Sequence, residues 1–203
     1  MLRVIGALFG VLAITACTPF GTPTRSVALG QGDVVAATPA GYCIDGASSQ
    51  ISRDFAIVAP CATLDASLPG PDLVGFATIQ VGPAGSGSIV ADEVALRDYL
   101  ITQDGARLLS QTGNAGDIDI LSTQAFNSQV MIHFADAGQP PLPGLQREEW
   151  RAFKDVNGRL VTIGVRGLAA APLQEGPGAT LLKLMVAGVQ PANTVSEDPP
   201  TDT

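Results

Sequence analysis

The stretch EWRAFKDVNGRLVTIGVRG, residues 149–167, decides how this chain folds. Asn157-Gly158 supplies the two consecutive positive-φ positions of a type I′ turn, and turns of that kind join antiparallel strands because their twist matches the strands they connect. Folding residues 149–156 back on residues 159–167 sets Trp150 opposite Val165, Ala152 opposite Ile163 and Lys154 opposite Val161. Strand side chains alternate between faces, so one face of this hairpin is mostly apolar and has to be covered.

The same alternation recurs just upstream. Residues 117–126 and 129–136 flank Asn127-Ser128, a second two-residue turn. In the later strand Val130, Ile132 and Phe134 share one face, with Met131, His133 and Ala135 on the other. Between the two hairpins, Gln139-Pro140-Pro141-Leu142-Pro143-Gly144 reads as a stiff connector, although its prolines also resemble a polyproline ligand. Further upstream, Val90, Val94, Leu96, Tyr99, Leu100 and Ile101 recur at helical spacing behind a possible cap at Ser88. Asp104 looks like a second N-cap, opening a short helix through Arg107, Leu108 and Leu109. Before these come short β-like runs at 34–36, 41–45, 55–59 and 73–81. Downstream, a helix starting near Pro177 carries Leu181, Leu182, Leu184, Met185, Val186 and Val189, nearly apolar all round, and is expected to pack deeply on the sheet. The fold class is therefore α+β, an antiparallel β-sheet flanked by helices.

This order of short strands, helical segment, two hairpins and closing helix resembles the α-β-α sandwich of the PsbP-like family, which includes the extrinsic PsbP protein of photosystem II and small bacterial exported proteins. Residues 153–168 and 180–189 carry most of the likeness. Gly41-Tyr42-Cys43-Ile44-Asp45 together with Cys61 also resembles a group of alphaproteobacterial lipoproteins of unassigned function. Neither resemblance brings functional residues with it. PsbP-like proteins are mostly binding or assembly factors, so the likeness implies a non-enzyme.

The N-terminus gives an address. Arg3 is a short positive region, residues 4–14 are an apolar run, and Ile14-Thr15-Ala16-Cys17 has the form of a lipobox. The run is short of the roughly 20 residues that cross a hydrocarbon core. In lipoproteins with this motif the Cys17 sulfur takes a diacylglyceryl group, cleavage follows residue 16 and the new amine is acylated. Several chains, at about 0.8 kcal/mol per buried methylene, hold far better than one. By resemblance to enterobacterial sorting, Thr18 in place of Asp favours the outer over the inner membrane. The expected organisation is a signal peptide over 1–16, lipidated Cys17 and a flexible tether over 17–32, a single α+β domain over 33–190, and an acidic disordered tail over 191–203. The domain is expected to face the periplasm.

Hydrophobic residues make up 46% of the 203-residue chain and charged residues only 15%, enough to bury a core. The net charge is −8 with no cluster of Lys or Arg, which disfavours nucleic acid and polybasic membrane contact. Of three cysteines, Cys17 is taken by the lipobox. Cys43 and Cys61 remain as an even pair suited to a disulfide in an oxidising compartment, with free thiols or half a metal site as the rival readings. Pro60 cannot donate to a strand ladder and argues against a regular hairpin register running through Cys61.

No catalytic, cofactor-binding or metal-ligating residue is assigned. A zinc site needs three or four ligands and the chain has one imidazole, His133, which reads as a strand residue on the less apolar face or under a helix. The segment around Ser86 and Ser88 lacks both a nucleophile-elbow pattern and the Lys-Ser/Thr of a phosphate loop. Gly176-Pro177-Gly178 reads as a helix start. Asp92 with Glu93, Asp117 with Asp119, and Glu148 with Glu149 are the carboxylate pairs available for acid–base work, each with a plain structural explanation. The function expected from the sequence is a lipid-anchored envelope protein acting as a non-catalytic binding or assembly module for an envelope partner. The alternatives are an envelope hydrolase with a carboxylate-based site, or a carrier of an apolar ligand held between the closing helix and the sheet.

Overall fold

Asn157 and Gly158 adopt φ values of 55° and 76°, and the hairpin they form is the centre of the molecule. The computed structural model describes residues 23–192; the signal segment, Cys17 and residues 193–203 lie outside the described residues. Strands β8 (Glu148–Val156) and β9 (Arg159–Arg166) pair with Trp150 opposite Val165, Ala152 opposite Ile163 and Lys154 opposite Val161, the register expected from the turn. Asn127 and Ser128 also have positive φ, 52° and 54°, and join β6 (Ile118–Phe126) to β7 (Gln129–Asp136). With β3 (Tyr42–Ile44), β4 (Phe55–Pro60) and β5 (Phe76–Val81) these strands form one antiparallel sheet of seven, ordered β3-β4-β5-β9-β8-β7-β6.

One face of this sheet carries the main core. Ala56, Val58, Ala77, Ile79, Val161, Ile163, Val165, Trp150 and Ala152 pack against Leu181, Leu182, Met185 and Val186 of α4 (Glu175–Ala187). A small second sheet, β1 (Ser26–Leu29), β2 (Val34–Ala37) and β10 (Val189–Pro191), closes the same layer with Leu29, Val34, Ala36 and Val189. The opposite face is covered only in part. Short helices α2 (Glu93–Leu100) and α3 (Gln103–Leu109) bury Leu100 and Leu109 against Val130, Ile132 and Phe134 of β7. A helix of eight residues is about 12 Å long, whereas seven strands about 4.8 Å apart span about 29 Å. Both helices sit over β7, and the face over β4 and β5 stays open.

Several boundaries differ from the sequence reading for identifiable reasons. Residues 26–29, expected within the tether, form β1, whose backbone pairs with β2 from Ser26 opposite Ala37 to Leu29 opposite Val34. Val189, expected at the end of the closing helix, begins β10, and Pro191, expected in the tail, ends it; Gly188 caps α4 and turns the chain back onto β2. α2 is capped by Asp92, which accepts from Ala95 N, while Ser88 sits in a preceding 3-10 turn. Thr102, not Asp104, caps α3 by accepting from Gly105 N. β5 starts at Phe76 instead of residue 73.

Cys43 and Cys61 are joined in a disulfide. Pro60 is the last residue of β4, opposite Tyr42, and Cys61 opens the single helical turn α1 (Cys61–Leu64). The bridge thus ties the edge strand β3 to the point where β4 leaves the sheet, consistent with the restriction Pro60 imposes.

Candidate functional site

The side chains that the helices leave uncovered form a groove. Phe55 and Ile57 of β4 and Phe76 of β5 lie half-buried on its floor, with Pro141, Leu142 and Leu145 from the proline-rich connector on one side. Gln111, just after α3, stands at another edge, and the enclosed volume is about 350 Å³. The connector is therefore a wall of this groove as well as a spacer between hairpins.

An ion cluster sits at the β8–β9 end. The register that sets Trp150 opposite Val165 sets Glu149 opposite Arg166 one step on, and Arg151 opposite Gly164. Glu149 Oε2 accepts from Arg166 Nη2 at 2.5 Å and Oε1 accepts from Arg151 Nε at 2.6 Å. Arg166 also donates through Nη1 to the carbonyls of Gln146 and Arg147. Glu149 and Arg166 are 4% and 5% exposed, so both charges are withdrawn from water and depend on these partners. The Arg151 guanidinium lies 5.1 Å from the Phe134 ring centroid, a cation–π distance. Gly164 makes room for the Glu149 carboxylate, since a side chain there would meet it.

The other carboxylates and the histidine are dispersed. Glu148 points to the face opposite Glu149 and holds His133 Nε2 at 3.0 Å. His133 is buried, stacks on Trp150 with ring centroids 4.2 Å apart, and borders a small 70 Å³ recess beside Glu175 and Lys183 of α4. It is thus a strand residue under a helix, as its position in the sequence implied. Asp117 accepts from Thr112 and Asn114 in a surface turn. Asp92 caps α2 and Glu93 lies in its first turn. Ser86 and Ser88 donate to the carbonyls of Pro83 and Gly85, and Ser86 also accepts from Leu160 N. Gly178 of Gly176-Pro177-Gly178 lies against the Trp150 ring. The structure does not bring His133, Asp117, Asp119, Ser86 and Ser88 together.

Sequence reasoning placed Glu149 beside Glu148 and missed its partners. The signal was in the hairpin, because the register read from Asn157-Gly158 already aligns Glu149 with Arg166. The space between α4 and the sheet, considered for an apolar ligand, is filled by Trp150, Leu181, Leu182 and Met185; the larger cavity is on the other face. Among the described residues no three His, Cys, Asp or Glu side chains are grouped to hold a metal ion, and no helix is long and apolar enough to cross a membrane.

No family model matches the chain, and no curated protein matches it in sequence. Among solved structures it is similar to a mutant of the protein Mog1, with 12% identity over 84% of this chain and 96% of that one and a TM-score of 0.48. It is also similar to the Ran-binding protein Mog1p of Saccharomyces cerevisiae, with 12% identity over 85% and 97% and a TM-score of 0.47. A third is the cyanobacterial PsbP (CyanoP) of Synechocystis, with 11% identity over 88% and 98% and a TM-score of 0.44. No residue role passes from these proteins to this chain.

Proposed function

We propose that this chain is a lipid-anchored protein of the cell envelope that acts as a non-catalytic binding module, and that it binds through the open groove over β4, β5, β9 and β8. The observation that carries the binding role is the groove itself, half-exposed Phe55, Ile57 and Phe76 beside a buried Glu149–Arg166 pair. Leaving aromatic side chains partly in water on a concave surface costs stability, and surfaces of that kind usually mark binding sites. The anchored role is supported by Ile14-Thr15-Ala16-Cys17, and the Cys43–Cys61 disulfide suits the oxidising compartment to which such a signal leads. The domain then faces the periplasm, with Thr18 favouring the outer membrane.

Site-specific photo-crosslinking in intact envelopes tests the groove. A crosslinker at Phe76 is expected to give a recurrent product that the same group at Thr180, on α4, does not. Absence of a product specific to Phe76 removes the groove from the account. Mass analysis of the mature chain tests the anchor: an acylated Cys17 at the N-terminus is expected, and an unmodified Cys17 or retention of residues 1–16 overturns the placement.

A further inference from the structure

The chemistry of the groove lining narrows what it binds, given that the groove is the binding surface. Arg151 donates Nε to Glu149, but neither of its terminal nitrogens donates to any group among the described residues, although the side chain is only 13% exposed. Arg166 differs, since Nη1 and Nη2 are both engaged. Two guanidinium groups facing one carboxylate leave one positive charge in excess, and in a half-buried apolar setting that charge attracts an anion more strongly than it would in bulk water. The unengaged Nη pair of Arg151 has the fork geometry that matches a carboxylate.

The rest of the lining sets the body of the ligand. Phe55, Ile57, Phe76 and Leu142 offer apolar surface, with Thr78 and Gln111 as the remaining polar side chains. The floor is the face of a sheet whose backbone groups pair laterally, β4 with β5, β5 with β9 and β9 with β8. A peptide laid on that face finds no backbone partners, and burying its amides unpaired is costly. The volume of about 350 Å³ is at the small end of the range of roughly 300–1,000 Å³ for small-molecule sites.

We propose that the groove takes a small monocarboxylate with a hydrocarbon or aryl body, its carboxylate paired with the Arg151 fork and its body on Phe55, Ile57 and Phe76. The test is calorimetric titration of the mature chain, residues 17–203, carrying Cys17→Ala, which removes the acylation site, lacks the apolar residues 4–14 and leaves residues 23–192 unchanged. The probes are sodium octanoate, octan-1-ol and sodium acetate. Octanoate is expected to bind at least about tenfold more tightly than octan-1-ol, a factor equal to one good charge-assisted contact, and acetate not to bind measurably. Arg151→Met is expected to bring octanoate down to the level of the alcohol. Equal binding of octanoate and octan-1-ol by the unsubstituted groove overturns carboxylate recognition but leaves an apolar binding groove in place. Failure of both to bind overturns the ligand class outright, while the Phe76 crosslink decides separately whether the groove binds anything.

Discussion

The carboxylate of Glu149 lies across the backbone of Gly164, so close that a methyl group on that glycine would stand 2.7 Å from Oε1 and 3.0 Å from Thr78 Oγ1. Gly164→Ala therefore has to displace a buried carboxylate or the strand beneath it, and overpacking of this kind costs about 1–3 kcal/mol. Urea denaturation is expected to register that loss. Gly176→Ala is the control, because nothing lies within 4 Å of the position a methyl would take; a Gly164 variant as stable as the Gly176 variant contradicts the packing described.

The Glu149–Arg166 pair gives a second expectation. Glu149→Leu leaves Arg166, 5% exposed, without its anion, and breaking one side of a buried pair costs about 3–5 kcal/mol. Adding Arg166→Met removes the stranded charge, so the double variant is expected to be more stable than Glu149→Leu alone. A double-mutant cycle in denaturant measures this directly, and strict additivity of the two losses refutes the coupling.

Much of this arrangement can be read in the chain and some cannot, and the difference has a physical basis. The β8–β9 register follows from Asn157-Gly158 and local alternation, and Glu149 opposite Arg166 follows from the register. β1 and β10 are edge strands of four and three residues, too short for a local pattern to mark them, and β10 reaches β2 from the far end of the chain. The groove is less legible still. It exists because α2 and α3 are too short to cover the sheet, and because Pro141 and Leu142 fold over strands far away in sequence. Spacing along the chain contains neither fact.

Tyr42 predicts an alkaline limit to stability. Its side chain is 2% exposed, its hydroxyl donates to Leu73 O at 2.5 Å, and burial pushes its pKa from 10.0 up to about 12, partly opposed by the backbone N–H of Gly75. Below pH 10 both folded and unfolded chains keep the proton and the full contribution is present. Between pH 10 and about 12 the unfolded chain loses a proton that the folded chain retains, so stability falls as pH rises, by about 2 kcal/mol across the window. Tyr42→Phe, lacking the titrating group, is expected to be less stable at neutral pH by about 1 kcal/mol but to lose less between pH 10 and 12. Parallel denaturation curves for the two proteins across that window contradict the assignment.

The disulfide sets an expectation about redox dependence. Cys43 and Cys61 are 18 residues apart, and closing a loop of that size contributes about 3 kcal/mol on the chain-entropy model. Because the bridge fastens edge strand β3, which pairs only with β4 in the large sheet, reduction is expected to loosen β3 first. Hydrogen exchange of the reduced chain should show faster exchange at Asp45, whose N–H donates to Ile57 O of β4, than at Ile163 in the sheet centre. Uniform acceleration over the whole sheet excludes a local role for the bridge.

Gly178 and Trp150 provide the last expectation, in which two effects of opposite sign compete. Alanine is a better helix former than glycine by about 1 kcal/mol, which on propensity alone favours Gly178→Ala in α4. A methyl at residue 178, however, would fall 2.5 Å from Cδ2 and Cζ2 of Trp150, a ring that is 2% exposed and held on another side by His133. The ring or the helix has to shift to admit the methyl, and the overpacking cost of about 1–3 kcal/mol is expected to outweigh the propensity gain. Trp150 is the only tryptophan in the chain, so its emission reports this contact without interference. Gly178→Ala is expected to lower Tm and shift the emission to the red as the ring is pushed toward water. An unchanged spectrum with a raised Tm means that propensity wins and that α4 does not rest on the indole.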